Sequence, residues 1–201
     1  GRLQAEAAFR SRPWCAPPLP APASAQALTE DTTWSGTVVV DQTLEVPTGI
    51  TLKIDAGTTV LMKQAVSLRV AGRLLAEGTE AAPIRFTRQA AGITWGRLMF
   101  VKASDSRLVH CTVEFSNSAG DHKDYYDNRD QNCNPVTTRP PRSYHEAVVI
   151  IASHVDLEGC TFQKLPDTSA GAEGDAIAVI SDDPENPGEA TANIRGCQFL
   201  S

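Results

Sequence analysis

HVDLEGCTF at residues 154–162 returns in outline as ANIRGCQFL at 192–200, and a looser copy, SRLVHCTVEF, stands at 106–115. In each copy apolar and polar residues alternate up to a cysteine, then reach a phenylalanine two or four residues on. Period-two alternation puts the apolar side chains on one face of a strand. A second apolar run precedes each copy: RLMFV at 97–101, AVVII at 147–151 and DAIAVI at 175–180. The order strand, variable connection, strand, cysteine, short strand thus occurs three times.

Cys111, Cys160 and Cys197 stand 49 and 37 residues apart. Unequal steps would ruin a flat repeat, but they suit a coil whose strands recur while the loops between them vary. Equivalent residues of successive coils then lie roughly 4.8 Å apart and stack on their own copies. The three cysteines are expected to form a buried structural ladder, with Phe115, Phe162 and Phe199 as an approximate second one. Free cysteine behaves as a small buried hydrophobe. The zinc alternative lacks C-x-x-C pairs, and neighbouring strands seldom offer disulfide geometry.

The rhythm extends back to Trp34 through TVVV, TLEV, ITLKI, TVLM, SLRV, RLLA and PIRF, with Gly, Pro, Asp or short polar steps between the runs. No window carries a helical apolar spacing, and Asn-Gly or Asp-Gly hairpin turns do not occur between the runs. The expectation is an all-β single-stranded parallel β-helix, a solenoid over residues 29–201. The chain stops at Ser201 directly after the third copy, which reads as a coil interrupted at its C-terminal end. Residues 1–28 hold five prolines and read as a Pro/Ala-rich linker; the small residues of ASAQA after Arg10 and Arg12 leave a secretory leader remnant as the alternative.

Aromatic residues make up only 6% of the chain, so its core is built from aliphatics. The formal charge is −6, without a basic stripe, which argues against nucleic acid. No apolar window is long enough for a membrane span.

TLEVPTGITLKIDAGTTVLM, SLRVAGRLLAEGTEAAPIRFT and WGRLMF together resemble the opening turns of bacterial right-handed parallel β-helix proteins of the pectate-lyase-like superfold, over residues 34–116. YHEAVVIIASHVDLEGCTFQKL and GDAIAVISDDP are similar to β-helix domains of secreted bacterial proteins that also carry spore-coat-kinase-like or lamin-tail-like domains. The resemblance implies a right-handed coil, a secreted or cell-surface location, further domains in the same chain and a polysaccharide or cell-surface glycan as partner. GDAIAVI also resembles the Gly-Asp-Asp-Cys-Ile-Ala-Ile stretch of polygalacturonase-like hydrolases. There Asp175 matches, Ala176 replaces the second aspartate, and Glu173 would have to serve as the other catalytic carboxylate.

The strand rhythm breaks in a polar insertion at 117–146. Asp124, Asp127 and Asp130 could form an oxygen cage for Ca²⁺, although Pro135 at the sixth position and the missing Glu at the twelfth exclude an EF-hand. The alternative is a solvated loop. Tyr125, Tyr126 and Tyr144 are candidates for stacking on sugar faces, or for packing the loop down. Whether Cys15 pairs with Cys133 stays open. A lyase would need a base, for which Arg107 and Arg195 point outward at approximately equivalent places. His110 occupies the place of Gly159 and Gly196 and reads as a turn residue. The functional expectation is a non-catalytic scaffold or carbohydrate-recognition module, with a polysaccharide lyase or glycoside hydrolase, its main catalytic turns elsewhere, as the alternative.

Overall fold

In the computed structural model the described residues are 25–117, 146–165, 176–180 and 190–200. They wind into coils of three strands. The first coil holds β1 (Gln26–Ala27), β2 (Thr32–Trp34) and β3 (Thr37–Val40), and the second β4 (Leu44–Val46), β5 (Thr51–Ile54) and β6 (Thr59–Met62). The third holds β7 (Leu68–Val70), β8 (Arg73–Glu77) and β9 (Ile84–Arg88), and the fourth β10 (Leu98–Val101), β11 (Ser106–Val109) and β12 (Cys111–Glu114). β13 (Val148–Ile151), β14 (His154–Glu158) and β15 (Thr161–Gln163) make the fifth, and β16 (Ile177–Ile180), β17 (Thr191–Arg195) and β18 (Gln198–Leu200) the sixth.

Every third strand pairs in parallel, giving three six-stranded sheets. The described residues contain no helix, and none is long and apolar enough to cross a membrane. The molecule is an all-β parallel solenoid, as its repeat implies. Its first paired strand begins at Gln26, whose amide donates to the Thr43 carbonyl at 2.9 Å, so the coil starts inside the stretch that its prolines suggested was linker.

The alternating residues that point inward stack coil upon coil. In the first sheet Leu44, Leu68, Leu98, Val148 and Ile177 share one column. In the second, Ile54, Ala76, Leu108, Leu157 and Ile194 do so. In the third the column is Val38, Val60, Phe86, Val113, Phe162 and Phe199. At about 25 cal/mol per Å² of apolar surface removed from water, these columns are the main stabilising term. Met99, Val149 and Ile151 face away from that interior and form a second small apolar cluster, so β13 is apolar on both faces.

Three cysteines stack along the third sheet, Cys111 and Cys160 buried and Cys197 partly so. Thr112 pairs with Thr161, and Thr161 with Gln198, which brings the preceding Cys111, Cys160 and Cys197 into one column. All three are free thiols. Each donates to a carbonyl one coil back: Cys111 to Ala76 at 3.4 Å, Cys160 to Leu108 at 3.2 Å, Cys197 to Leu157 at 3.6 Å. Contact with the Cys160 thiol, and burial, push the Cys111 thiol well above its ordinary value, so it is a neutral donor at physiological pH.

The phenylalanine ladder needs correction. Phe162 opposes Val113, not Phe115; it stacks on Phe199 with centroids 5.2 Å apart and planes 9° from parallel. Phe115 lies two residues beyond Val113, at φ 59°, where the coil turns a corner. His110 is a corner residue as expected, at φ 45°, matching Gly159 at 61° and Gly196 at 60°. Its imidazole lies against the next coil: a Cβ on Gly159 would sit 2.7 Å from His110 Nδ1. The glycine thus meets two demands, a left-handed backbone and space beneath a ring.

Candidate functional site

Alignment on the cysteine column puts IRFTR (84–88), CTVEF (111–115) and CTFQK (160–164) in register along the third sheet. Their fourth residues, Thr87, Glu114 and Gln163, point outward side by side. The fifth, Arg88, Phe115 and Lys164, follow at the corner. Local alternation turns the fourth residues outward, since each block spends its first and third residues on the core, and parallel register sets them side by side.

Glu114 is the centre of the set. Its side chain is fully covered, yet it receives hydrogen bonds from four neighbours. Arg85 Nη2 and Thr87 Oγ1 (2.8 Å) donate to Oε1; Gln163 Nε2 (3.0 Å) and Lys164 Nζ (3.3 Å) donate to Oε2. The backbone carbonyl of Glu114 accepts from the Trp95 indole at 2.7 Å. Burial pushes the Glu114 carboxyl up, but the hydrogen bonds from Thr87 and Arg85, the Arg85 charge and the Lys164 contact outweigh it and hold the carboxyl below 4.5. The cover over Glu114 consists of charged side chains that are themselves half exposed, Arg85 at 49% and Lys164 at 53%.

Beside this carboxylate the Arg88 guanidinium lies 3.7 Å from the Phe115 ring centroid, and Lys164 Nζ lies 5.3 Å from it. Three cations are thereby fixed, one by an aromatic face, one by a carboxylate, and one by both. The residues Arg85, Thr112, Thr161 and Gln198 form the neighbouring outward column, which adds hydroxyl and amide groups to the same face.

Because Glu114 titrates below its ordinary value, its contribution to stability is complete above about pH 4.5 and is lost as pH falls through the lower folded value. Glu114→Gln should therefore lose stability relative to wild type at pH 7, and the gap should narrow steadily as pH falls below 4.5. Melting curves of both proteins across a pH series from 7 downward test this, and a gap that does not change with pH would show that the carboxylate charge is not engaged.

The second sheet carries a different charged set. Arg107 Nη1 lies 2.9 Å from Glu77, Nη2 3.7 Å from Glu158 and Nε 4.0 Å from Asp156. Arg107 shares its column with Asp156 and Asn193, whereas Arg195 opposes Glu158. The two arginines are therefore two residues out of register, and Arg107 is engaged by carboxylates on both sides. This is an exposed ion-pair network of modest energetic weight, not a matched pair of bases.

A third pair, Arg97 Nη1 and Glu146 Oε2, stands 3.7 Å apart with both side chains buried. Glu146 closes the polar insertion, and Asn117, which opens it, donates its amide to the Trp95 carbonyl at 2.7 Å. A polar groove of about 300 Å³ runs over the turns between the first and second sheets, past Thr51, Arg73 and Asp105. There the Arg73 Nε donates to the Asp105 carbonyl at 2.8 Å.

Most candidates read from the sequence, Asp175, Glu173, Tyr125, Tyr126, Tyr144, Asp124, Asp127 and Asp130, lie outside the described residues, as do Cys15 and Cys133. Among the described residues no group of three or more His, Cys, Asp and Glu side chains could hold a metal ion. The set around Glu114 was not legible in the sequence as a motif, because its members come from three different coils. A signal exists only between strands: with Ile84 set in the place of Cys111 and Cys160, Thr87, Glu114 and Gln163 fall together.

Fold and charged face define a class, a parallel β-helix with ordered ionic clusters on its outer sheets. No protein-family model, curated protein or solved structure matches the chain.

Proposed function

We propose that this chain is a non-catalytic extracellular β-helix scaffold or carbohydrate-recognition module of a larger secreted or cell-surface bacterial protein. The observation that carries the reading is the state of Glu114. A general acid for glycoside cleavage needs a carboxyl whose proton is retained near neutrality. Glu114 is instead held ionised by its four donors and serves to fix cations in place. A rigid face of fixed charges, hydroxyls and amides suits binding.

The test is incubation of the full chain with a panel of acidic and neutral polysaccharides, following reducing ends, unsaturated uronide absorbance and retardation in glycan-containing gels. Retardation without product is the expected result. Product that disappears in Asp175→Ala would instead establish the lyase or hydrolase alternative.

A further inference from the structure

We infer that the outward corner of the third sheet, formed by Arg85, Arg88, Phe115 and Lys164, binds a glycan through its anionic groups, carboxylate or sulfate ester. This rests on the carbohydrate-recognition reading above and deepens it by giving the ligand a charge and the site a place.

The argument begins with the mismatch between the patch and the chain. The protein carries a formal charge of −6, yet this corner gathers three cations around one carboxylate. Glu114 can neutralise only one of them. The surplus positive charge is also not left to flexible side chains: Phe115 carries the Arg88 guanidinium 3.7 Å from its ring centroid, and Glu114 holds Arg85 and Lys164. A guanidinium stacked on a ring loses little further freedom on binding and keeps its planar fork of donors, which matches an oxyanion two bonds at a time. Fixing cations before the ligand arrives lowers the ordering cost of association.

The neighbours select the ligand class. Thr112, Thr161 and Gln198 follow Arg85 along its column, and Gln163 lies beside Glu114. Hydroxyls and amides next to fixed cations match a ligand that alternates hydroxyl and anionic groups, as an acidic or sulfated glycan does. Arg88 and Lys164 belong to coils two steps apart, so their backbones are separated by roughly 10 Å. That separation suits an extended chain better than a single small anion. A nucleic acid would want a longer basic track than three cations on an acidic protein.

The experiment measures dissociation constants of the full chain by titration calorimetry for three polymers of matched length: a polyuronate, a sulfated glycan and a neutral glycan. The expected result is binding of at least one anionic polymer, weakening as salt rises from about 50 to about 200 mM. Arg88→Gln should weaken it about tenfold or more, the loss of a charge-assisted contact. Phe115→Leu retains every charge but removes the ring beneath Arg88, and should weaken binding several-fold. Lys164→Gln provides an independent check if either variant melts early. The preferred polymer tells carboxylate from sulfate, and either supports the inference. Anionic binding that all three variants retain at full strength would overturn the site. Binding of the neutral glycan alone, insensitive to salt and to the variants, would overturn the site while leaving carbohydrate recognition standing. No binding to any polymer would remove both.

Discussion

Gly72→Ala is expected to be the most damaging glycine-to-alanine change among the described residues. A Cβ at this position would lie 2.2 Å from the carbonyl oxygens of both Ile50 and Pro47. Those are backbone atoms of the coil below, and they cannot move independently. Ile50 N donates to Pro47 O at 3.0 Å, Arg73 N to Ile50 O at 2.9 Å and Gly72 N to Val46 O at 2.8 Å, so the two stacked turns are tied together. Overpacking usually costs about 1–3 kcal/mol, and a clash with two fixed oxygens belongs at or above the top of that range. That is a large part of the roughly 5–15 kcal/mol available to a typical domain. Gly36 provides the control: at φ +71°, with nothing within 4 Å of its added Cβ, Gly36→Ala should cost only the left-handed backbone term, about 1–2 kcal/mol. Urea unfolding of both variants decides the matter; equal midpoints would mean that the turns slide apart freely.

Phe86→Ala and Phe199→Ala should differ sharply although the two residues share one column. Phe86 is fully buried between Val60 and Val113, whereas Phe199 is 54% exposed and touches a ring on one side only. Removing the buried ring costs about 3–5 kcal/mol, or roughly 6–20 °C in melting midpoint for a chain of this size. Loss of the half-exposed ring should cost about 1–2 kcal/mol. In a solenoid each coil is stabilised chiefly by its neighbours, so a change inside the stack weakens two interfaces. Equal losses at both sites would mean that the sixth coil is covered as completely as the third.

The recurrence around cysteine was sufficient to place the coil, because stacking requires only that small or apolar side chains return at the same point of each turn. Cys111, Cys160 and Cys197 met that condition with different loop lengths between them. The phenylalanines did not: Phe115 follows its cysteine by four residues and Phe162 by two, and parallel pairing tolerates no such slip. His110 could be read as a corner residue because glycine fills the same place twice. That its ring lies over Gly159 could not be read, since this depends on how close two coils come.

The charged sites mark the same boundary. Arg107 and Arg195 look equivalent when each is counted from its own strand, but register separates them by two residues and assigns Arg107 to Glu77, Asp156 and Glu158. Glu114 gave no local signal of its own, because an outward residue of an alternating strand is ordinarily solvated.

What the sequence determined by itself was the class of fold and the contents of the core, since both follow from a period of two along each strand and from recurrence between strands. What only the tertiary structure decided was which side chains of different coils meet. Glu114 is an anchor for Arg85 and Lys164, and Phe115 a platform for Arg88, because parallel register brings residues 27 to 50 positions apart within hydrogen-bonding or stacking distance. Such contacts depend on the lengths of the turns between strands, and alternation within a strand carries no record of them.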